Sequence, residues 1–427
     1  MRNPAEALDA LRALPVGARV LPDLSAAGNA WVVGGAVRDA LLGLQPRELD
    51  VVVEGPIEPI LEALGGAVVE HDRFGVATVS LPEGRVDMVR ARAESYAAPG
   101  ALPDVLLGTL AEDLARRDVT VNAIALHPGD GRLEQATGAL DDLAAGVLRV
   151  LHDGSFTDDP TRLWRVARYA ARLSFEIDPH TRELAAVADP GTVSGPRLGN
   201  ELRLALREPA PLTVLQIARG LNAALLPPAA DLEPSRLDDA LALLPDGARA
   251  DLVVLAACCA PVDAGALVEW LDTLAFTAFE RDVVAAGSRP STHGPLHNAS
   301  KPSEIARAAR GAPVEVVALA GGPNARLWID ELRHVGLEIT GDDLLAAGVP
   351  EGPRVGEMLE RALDQKLDGE IAGGREAELA AALGDRRLDC GTWETRTRCN
   401  GTGAAGTTRS TTSRSPIRSA ARACGSG

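Results

Sequence analysis

Two acidic residues, Glu48 and Asp50, are separated by one leucine and precede the apolar residues 51–53. Because side chains alternate along a β-strand, residues two positions apart point to the same side, and the pattern predicts two carboxylates on one face of a strand. Two carboxylates held this close repel each other unless a cation lies between them. Asp87, in the apolar segment 85–89, is a candidate third carboxylate from a neighbouring strand.

Oxygen ligands of this kind suit Mg²⁺, which prefers hard oxygen atoms and keeps waters and substrate phosphates in its coordination shell. We predict that Glu48 and Asp50 hold Mg²⁺ and that Asp87 orients or deprotonates an attacking hydroxyl. Two such ions would activate the hydroxyl and stabilise a leaving pyrophosphate. A Glu-x-Asp pattern alone is common, and the alternative is a pair of solvent-exposed acids at a strand end.

A paired glycine turn, Gly34-Gly35, lies just upstream and leads into the apolar segment 36–44, which we predict to be a helix. Free backbone N–H groups and the positive end of the helix dipole at such a turn attract an anion. A carboxylate pair next to an anion site indicates a metal and a phosphate, and therefore nucleotide chemistry.

A second cluster, residues 112–123, contains Arg116, Arg117, Asp118 and Asn122. Two arginines beside an acid can hold a triphosphate and a ribose, because the planar guanidinium group matches phosphate oxygens. The alternative is a surface helix whose charges pair at i,i+4 spacing.

A third cluster lies in residues 158–172, where four arginines occupy a sector about 120° wide on one side of a predicted helix. They are Arg162, Arg165, Arg168 and Arg172. Like charges on one stripe cost stability unless an anion faces them. Pro160 suits the first helical position and Asp159 the N-cap. Asp159 and Arg162 could present an acceptor and a donor to the edge of a base; the alternatives are simple capping and a solvated face.

Short strands and helices alternate from about residue 30 to residue 150, and helical periodicity dominates from about residue 156 to residue 385. We therefore predict the fold class α+β, a mixed sheet with helices followed by an all-α region. Strands are expected at 31–33, 49–53, 76–81 and 85–89, and helices at 36–44 and 57–64. Residues 90–112 are expected to form a mobile loop because they contain Pro99, Gly100 and Pro103.

The composition, 46% hydrophobic and 24% charged, is typical of a soluble globular protein. No apolar run reaches the roughly 18–20 residues that span a bilayer, and no signal peptide is seen, so we expect a cytoplasmic protein without a membrane partner. The five cysteines have no zinc-type spacing. The net charge of −17 argues against a basic coat for nucleic acid, although a local arginine groove can still bind RNA. Residues 386–427 are expected to be disordered; non-functional sequence is a simpler explanation for them than an RNA-seeking tail.

Together these motifs resemble the class II (bacterial and eukaryotic type) tRNA nucleotidyltransferases and poly(A) polymerases, members of the DNA polymerase β-like nucleotidyltransferase superfamily. The resemblance runs from about residue 28 to residue 208, and its segments are Gly-Gly-Ala-Val-Arg-Asp at 34–39, Glu-Leu-Asp at 48–50, the RRD segment at 114–123 and the arginine-rich segment at 158–173. It implies a polymerase β-like nucleotidyltransferase head at 1–150 and a helical neck with a nucleobase-recognition helix at 151–215. A helical body and tail at 216–385 would bind tRNA.

The resemblance implies template-independent addition of C, A or both to the 3′ end of a tRNA, using CTP and ATP, with Mg²⁺ and release of pyrophosphate. By this resemblance, Gly35 and Arg38 would contact the triphosphate, and Arg117, with Asp118 and Asn122 nearby, would serve the phosphate and ribose. Asp159 and Arg162 would read the base, and Arg165 and Arg168 would complete the pocket. The implied nucleotide-binding residues are Gly34, Gly35, Arg38, Arg116, Arg117, Asp118, Asn122, Asp159, Arg162, Arg165 and Arg168.

The sequence departs from the family pattern at three places. Glu48 replaces the usual Asp of the metal pair, residues 135–139 replace the usual Asp-Pro-x-Gly-Gly element, and Asp158 replaces the usual Glu. The second change bears on the switch from C to A addition. The alternatives are therefore a poly(A) polymerase, an enzyme adding only CC or only A, and an inactive RNA-binding homologue.

Overall fold

Seven strands build a mixed sheet in the first part of the computed structural model, which describes residues 1–384 except 47, 72–75, 224–225 and 290–292. The strands of the described chain are β1 (Ala30–Val33), β2 (Leu49–Val53), β3 (Ala67–His71), β4 (Val76–Leu81), β5 (Gly84–Arg90), β6 (Arg92–Ser95), β7 (Asp104–Leu107), β8 (Ile124–Leu126), β9 (Leu133–Gln135), β10 (Val147–Leu148) and β11 (Glu176–Ile177). The order in the main sheet is β3-β4-β5-β2-β1-β8-β9.

The register of the central strands aligns the predicted acids. β2 and β5 run parallel with Asp50 beside Asp87, and β5 pairs antiparallel with β4 so that Thr78 lies on the other side of Asp87. The remaining neighbours in this sheet are antiparallel. Registered residues on adjacent strands point to the same face, so the two carboxylates share one side of the sheet.

Both faces of β2 are buried, which explains its uninterrupted apolar run. Val51 and Val53 pack into the large core under the N-terminal helices, and Val52 packs on the opposite face with Leu110 and Leu114. The helices of this region are α1 (Pro4–Arg12), α2 (Pro15–Ala27), α3 (Gly35–Leu42), α4 (Glu58–Leu64), α5 (Leu110–Ala115) and α6 (Ala139–Ala145).

The prediction of a mobile loop at 90–112 is wrong. Residues 92–95 and 104–107 pair as the antiparallel strands β6 and β7, and α5 begins at Leu110 behind the capping residue Thr109. Pro99, Gly100 and Pro103 are confined to the connection between the two strands. The breaker residues at the tip thus hid a hairpin with two short strands, of which β7 is largely exposed.

Helices make up most of the described chain after α6. They are α7 (Ser155–Asp158), α8 (Arg162–Leu173), α9 (Pro179–Val187), α10 (Gly195–Leu206), α11 (Pro211–Gly220), α12 (Leu237–Leu241), α13 (Ala250–Cys258), α14 (Ala264–Thr273), α15 (Ala278–Gly287), α16 (Gly294–Asn298), α17 (Pro302–Ala308), α18 (Val314–Ala320), α19 (Gly322–Asp330), α20 (Gly341–Ala346), α21 (Pro353–Leu367) and α22 (Arg375–Leu383). The predicted fold class, α+β with a following all-α region, is confirmed.

The apolar stripe of α8 (Leu163, Val166 and Ala167) belongs to the same core as residues of the sheet and its helices. Within the described ranges, no helix has the length and apolar character needed to cross a membrane. The predicted disordered segment 386–427 lies outside the described residues.

Candidate active site

A cavity of about 630 Å³ opens between the sheet and helix α8. Every site residue predicted from the sequence lines it, and these residues are Gly34, Gly35, Arg38, Glu48, Asp50, Asp87, Arg116, Arg117, Asp118, Asn122, Asp159, Arg162, Arg165 and Arg168. Three clusters of residues therefore line one cavity, although the first and the last are more than a hundred residues apart in the sequence. The cavity is acidic at one end and lined by arginines elsewhere.

The acidic end is formed by Glu48, which immediately precedes β2, and by Asp50 on β2. Burial raises the pKa of Asp50 to about 6; Arg117 opposes this rise, and the neighbouring charges of Glu48 and Asp87 add to it. A buried carboxylate next to two others is relieved by a hard cation, so the donor set at Glu48 and Asp50 fits a divalent ion such as Mg²⁺.

Asp87 is held differently from the other two acids. Its Oδ1 accepts hydrogen bonds from the Thr78 hydroxyl (2.7 Å) and from Arg85 Nη2 (2.9 Å), and Arg85 also contacts Oδ2 (3.1 Å). Over the described residues, no group of three acids, histidines or cysteines is close enough to enclose a metal ion. The predicted trio thus consists of a pair open to the cavity and a third carboxylate held by an arginine.

The glycine turn brings an arginine against the backbone. Gly34 has φ of +66°, a region that favours glycine, and a Cβ atom there would lie 2.8 Å from Nη1 of Arg117. Helix α3 begins at Gly35 without a side-chain cap, and its first residues line the cavity. The buried Nε of Arg117 lacks a hydrogen-bond partner among the described residues. Uncapped N–H groups and an unsatisfied guanidinium N–H together form a site for an anion.

Arg116 and Arg117 show part of the pairing that was the alternative to a phosphate grip, and their phosphate role stays a prediction. Helix α5 ends before Arg116, and both arginines bind the fully buried Asp113, Arg116 Nη2 at 2.6 Å and Arg117 Nη2 at 2.9 Å. Arg116 also binds Glu94 on β6 (2.9 Å). Buried acids therefore fix both arginines at the wall of the cavity instead of leaving them on a surface helix.

Arg38 is almost fully buried. Its Nη1 donates to Oδ1 of Asn122, its Nε donates to Asp39 (2.8 Å), and its guanidinium carbon lies 5.5 Å from the ring centre of Tyr169. Asn122 in turn donates to Asp118 (3.1 Å). Arg38 lines the cavity through a guanidinium group that protein acceptors already surround.

The arginines of α8 face carboxylates of other elements. Arg165 Nε donates to Asp118 (2.6 Å), and Arg168 donates to Glu208 (2.9 Å) and Glu201 (3.5 Å). Arg172 also binds Glu208. Burial alone would raise the pKa of Glu208, but the hydrogen bonds from Arg172 and Arg168 outweigh it and hold that pKa below its ordinary value. Three of the four like charges on the stripe, those of Arg165, Arg168 and Arg172, are thus balanced by protein acids.

Asp159 and Arg162, the pair predicted to meet the base, are also engaged by neighbours. Arg162, 5% exposed, donates to the Ser155 hydroxyl (2.9 Å) and to the backbone carbonyl of Arg116 (2.8 Å). Asp159 accepts from Nη2 of Arg197 (2.9 Å). Asp159 and Arg162 nevertheless both line the cavity.

The predicted helix start is two residues too early. Helix α8 begins at Arg162 with Thr161 in the N-cap position, and Pro160 lies in the preceding turn. Asp159 still caps this turn, because its Oδ1 accepts from the backbone N–H (3.1 Å) and the hydroxyl (2.7 Å) of Thr161.

Several cavity residues escaped the sequence analysis because their signal lies in tertiary contacts. They are Arg92, Glu94, Tyr96 and Tyr169 at the cavity wall, with Asp113 and Glu208 behind it. Arg92 and Glu94 are two residues apart on β6, a spacing that places both side chains on one face of a strand and is the one sequence signal for them. Burial and the charge of Glu94 raise the pKa of Tyr96 to about 12, so its hydroxyl stays protonated.

Comparisons with known proteins agree with this geometry. Residues 30–149 match the model of the Poly A polymerase head domain. The chain is 35% identical over 396 residues to the CC-adding tRNA nucleotidyltransferase of Deinococcus radiodurans, covering 86% of this chain and 96% of that protein. It is 32% identical over 412 residues to the A-adding tRNA nucleotidyltransferase of Geobacter sulfurreducens, covering 85% of this chain but only 46% of that relative.

A solved structure shows the same overall arrangement. The Thermotoga maritima CCA-adding enzyme complexed with tRNA superimposes with a TM-score of 0.64 at 27% sequence identity, over 90% of this chain and 99% of that one. The similarity extends over the head and most of the helical region. It therefore includes the elements on both sides of the cavity.

Proposed function

The chain belongs to the tRNA nucleotidyltransferase family, and we propose that it extends the 3′ end of a tRNA with C, A or both. CTP and ATP would be the nucleotide substrates and pyrophosphate the product. The acidic end and the arginine-lined remainder of one cavity carry this proposal, since nucleotidyl transfer needs both a cation site and a triphosphate site. The full length shared with the CC-adding relative supports it.

Glu48 and Asp50 would hold Mg²⁺, in the two-ion arrangement that the sequence predicts, and Asp87 would orient the attacking 3′ hydroxyl. When bound, the ions would activate that hydroxyl and stabilise the departing pyrophosphate. The raised pKa of Asp50 supports this assignment, because a half-buried carboxylate without a hydrogen-bond partner among the described residues gains from a divalent cation.

The nucleotide would lie between the glycine turn and α8. Gly34, Gly35 and Arg117 would hold the triphosphate, with Arg38 and Arg116 fixing the wall behind it, while Asp159 and Arg162 would meet the base. The roles of Asp118, Asn122, Arg165 and Arg168 belong to the same pocket. A base read by protein side chains explains how C and A can be chosen without a nucleic-acid template.

The helical residues 216–385 would bind the tRNA through backbone and shape contacts, because A-form RNA is recognised mainly by shape. The Thermotoga relative is described as complexed with tRNA, which supports RNA as the partner. A substrate of this kind places the enzyme in the cytoplasm.

The test is incorporation by the purified protein with Mg²⁺ and a tRNA ending before its CCA, after the first C, or after CC. Each acceptor is incubated with CTP, ATP, or both, and the 3′ ends of the products are sequenced. Two C residues without A would identify a CC-adding enzyme, and A on the CC acceptor alone would identify an A-adding enzyme. All three additions in order would identify a complete CCA-adding enzyme.

Two results would contradict the proposal. Long adenosine tails on unrelated RNA would identify a poly(A) polymerase, which is the nearest alternative because the head-domain model is shared with that activity. Absence of any incorporation, with intact tRNA binding, would favour an inactive RNA-binding homologue. The assay is repeated with manganese in place of magnesium, so that a lack of incorporation is not due to the choice of metal.

A further inference from the structure

The carboxylate of Asp118 is fully occupied by protein donors. Its Oδ1 accepts from the backbone N–H of Val119 (2.8 Å) and from Nδ2 of Asn122 (3.1 Å). Its Oδ2 accepts from Nε of Arg165 (2.6 Å) and from the hydroxyl of Tyr169 (3.1 Å). A carboxylate offers about four acceptor positions. Asp118 is also 5% exposed, so it acts on a nucleotide through its neighbours and not by direct contact.

These contacts form a closed ring that joins the head to the neck. Asn122 bonds to Arg38 on α3, and the guanidinium group of Arg38 lies over the ring of Tyr169. Tyr169 and Arg165 are both on α8, one helical turn apart, and both return to Asp118. Three separate elements are held together by one buried polar network, and such networks fix a single arrangement when every member is satisfied.

The hydroxyl of Tyr169 connects two members of this ring, Asp118 and Arg165. The hydroxyl donates to Oδ2 of Asp118 and accepts from Nη2 of Arg165 (3.3 Å). The Arg165 side chain is 45% exposed and lines the cavity. Nε donates to Asp118 and one N–H of Nη2 donates to Tyr169. Within the described residues, both N–H groups of Nη1 and the second N–H of Nη2 are therefore left to meet a ligand.

We propose that Tyr169 is a positioning residue of the nucleotide site. Its hydroxyl holds Arg165 against Asp118, and α8 thereby presents one defined face of Arg165 to the nucleoside triphosphate. This inference deepens the proposed function and depends on the cavity being the nucleotide site. The aromatic ring serves a separate purpose, which is to cover Arg38.

The substitution Tyr169→Phe separates the two parts of the side chain, because it removes the hydroxyl and keeps the ring. We expect the dissociation constants of CTP and ATP, measured by calorimetry in the presence of Mg²⁺, to rise about 5- to 10-fold for each nucleotide that binds, the range expected for the loss of one ordinary hydrogen bond. In the incorporation assay KM should rise by the same factor while kcat changes less than about 2-fold.

The matched control is Ser288→Ala, which deletes a buried hydroxyl in the helical region that bonds only to a carbonyl of its own helix (Ala285). Its nucleotide affinity should equal that of the unmodified protein. Thermal unfolding of both variants is recorded alongside. A merely structural role of Tyr169 would lower the melting temperature without changing nucleotide affinity, and that result would overturn the proposal.

A double-mutant cycle tests whether Tyr169 acts through Asp118. If it does, Tyr169→Phe should change nucleotide affinity by less than about 2-fold once Asp118 is already Asn, since the shared partner has lost its charge. Additive effects of the two substitutions would mean that Tyr169 contacts the nucleotide directly and would overturn the positioning role. Unchanged affinity in the single variant would overturn it as well.

Failure of the proposed function can be told apart from failure of this inference. If the unmodified protein binds CTP or ATP but does not extend tRNA, the proposed function fails and the binding cycle still decides the role of Tyr169. If it binds neither nucleotide, the role assigned to Tyr169 is overturned too.

Discussion

The charged side chains at the two ends of the cavity differ in whether they have partners within the protein. At the acidic end, Glu48 and Asp50 form no hydrogen bond or ion pair with another described side chain. At the arginine-lined end, Arg165 and Arg168 are each paired with a carboxylate, and Arg162 is held by neutral acceptors. One end carries acids that no described side chain holds by a hydrogen bond or ion pair, and the charges at the other end are mostly paired within the protein.

This difference shows what each end is built to do. Carboxylates without a hydrogen bond or ion pair lower the stability of the metal-free protein, and a bound cation removes that penalty. The acidic end therefore gains affinity for a metal at the expense of folding stability. Paired arginines cannot reorient freely, and their remaining N–H groups are fixed before a ligand arrives. The acidic end is therefore suited to bind a cation, while the arginine-lined end offers N–H groups whose positions are fixed before a ligand binds.

The largest effect is expected from Asp50→Asn, which removes the buried charge at the acidic end. Nucleotide incorporation should fall by about 10³-fold or more, corresponding to roughly 4 kcal/mol of lost transition-state stabilisation. The measurement is the initial rate of CTP and ATP incorporation into tRNA at saturating Mg²⁺. Glu58→Gln, an exposed acid on α4, is the control and should leave the rate unchanged. A loss below 10-fold would remove Asp50 from the metal site.

The second effect concerns the paired end. Glu208 is 7% exposed and accepts from both Arg168 and Arg172, so Glu208→Gln leaves two arginines without their charged partner. We expect the free energy of unfolding to fall by about 3 kcal/mol, as when one member of a buried ion pair is removed. Urea denaturation measures it, and the exposed Glu183→Gln is the control. Equal stability would show that the arginine stripe is solvated and not neutralised by protein.

The two ends also differ in how far the sequence predicted them. The acidic end depends on local spacing, since Glu48 and Asp50 are two apart and their strand is marked by its apolar run. The same logic predicted β2, the hairpin partner strands β4 and β5, and the helix after the glycine turn. Period-two and period-3.6 patterns are read from neighbouring residues, so these elements needed no knowledge of the fold.

The paired end depends on partners far away in the chain. Glu208 lies 40 residues after Arg168, and Glu94 lies 22 residues before Arg116. Charge on a predicted helix looks the same from the sequence whether solvent, an anion or a carboxylate faces it, so the sequence left those alternatives open. The hairpin β6–β7 was missed for a related reason. Its strands are short, and exposed leucines such as Leu106 hide the alternation.

The third effect is a difference in pH dependence between the ends. The pKa of Asp50 is about 6 in the folded protein against an ordinary value of 3.8. Protonation of Asp50 therefore favours the folded state. That contribution is fully present below about pH 4 and is lost as the pH rises through about 6. The loss corresponds to about 2–3 kcal/mol, because one pKa unit is worth about 1.4 kcal/mol.

Asp50→Asn isolates this contribution, since the amide does not titrate. In urea unfolding without divalent ions, the variant should be as stable as the parent near pH 4 and more stable by about 2–3 kcal/mol at pH 8. Added Mg²⁺ should stabilise the parent and leave the variant unchanged. If the stability of the parent relative to the variant does not fall between pH 4 and pH 8, the charge of Asp50 is already balanced by neighbouring arginines.

The smallest effect decides to which end Asp87 belongs, since it lies beside Asp50 but is paired with Arg85. The Arg85 side chain is 64% exposed, so Arg85→Ala should change the free energy of unfolding by less than about 1 kcal/mol. Asp87 keeps the hydrogen bond from Thr78, and incorporation should change by no more than about 3-fold. Asp87→Asn should be far more damaging if the carboxylate orients the hydroxyl. Comparable losses in both variants would instead make Arg85 and Asp87 one functional pair, and the third acid would then belong with the neutralised charges.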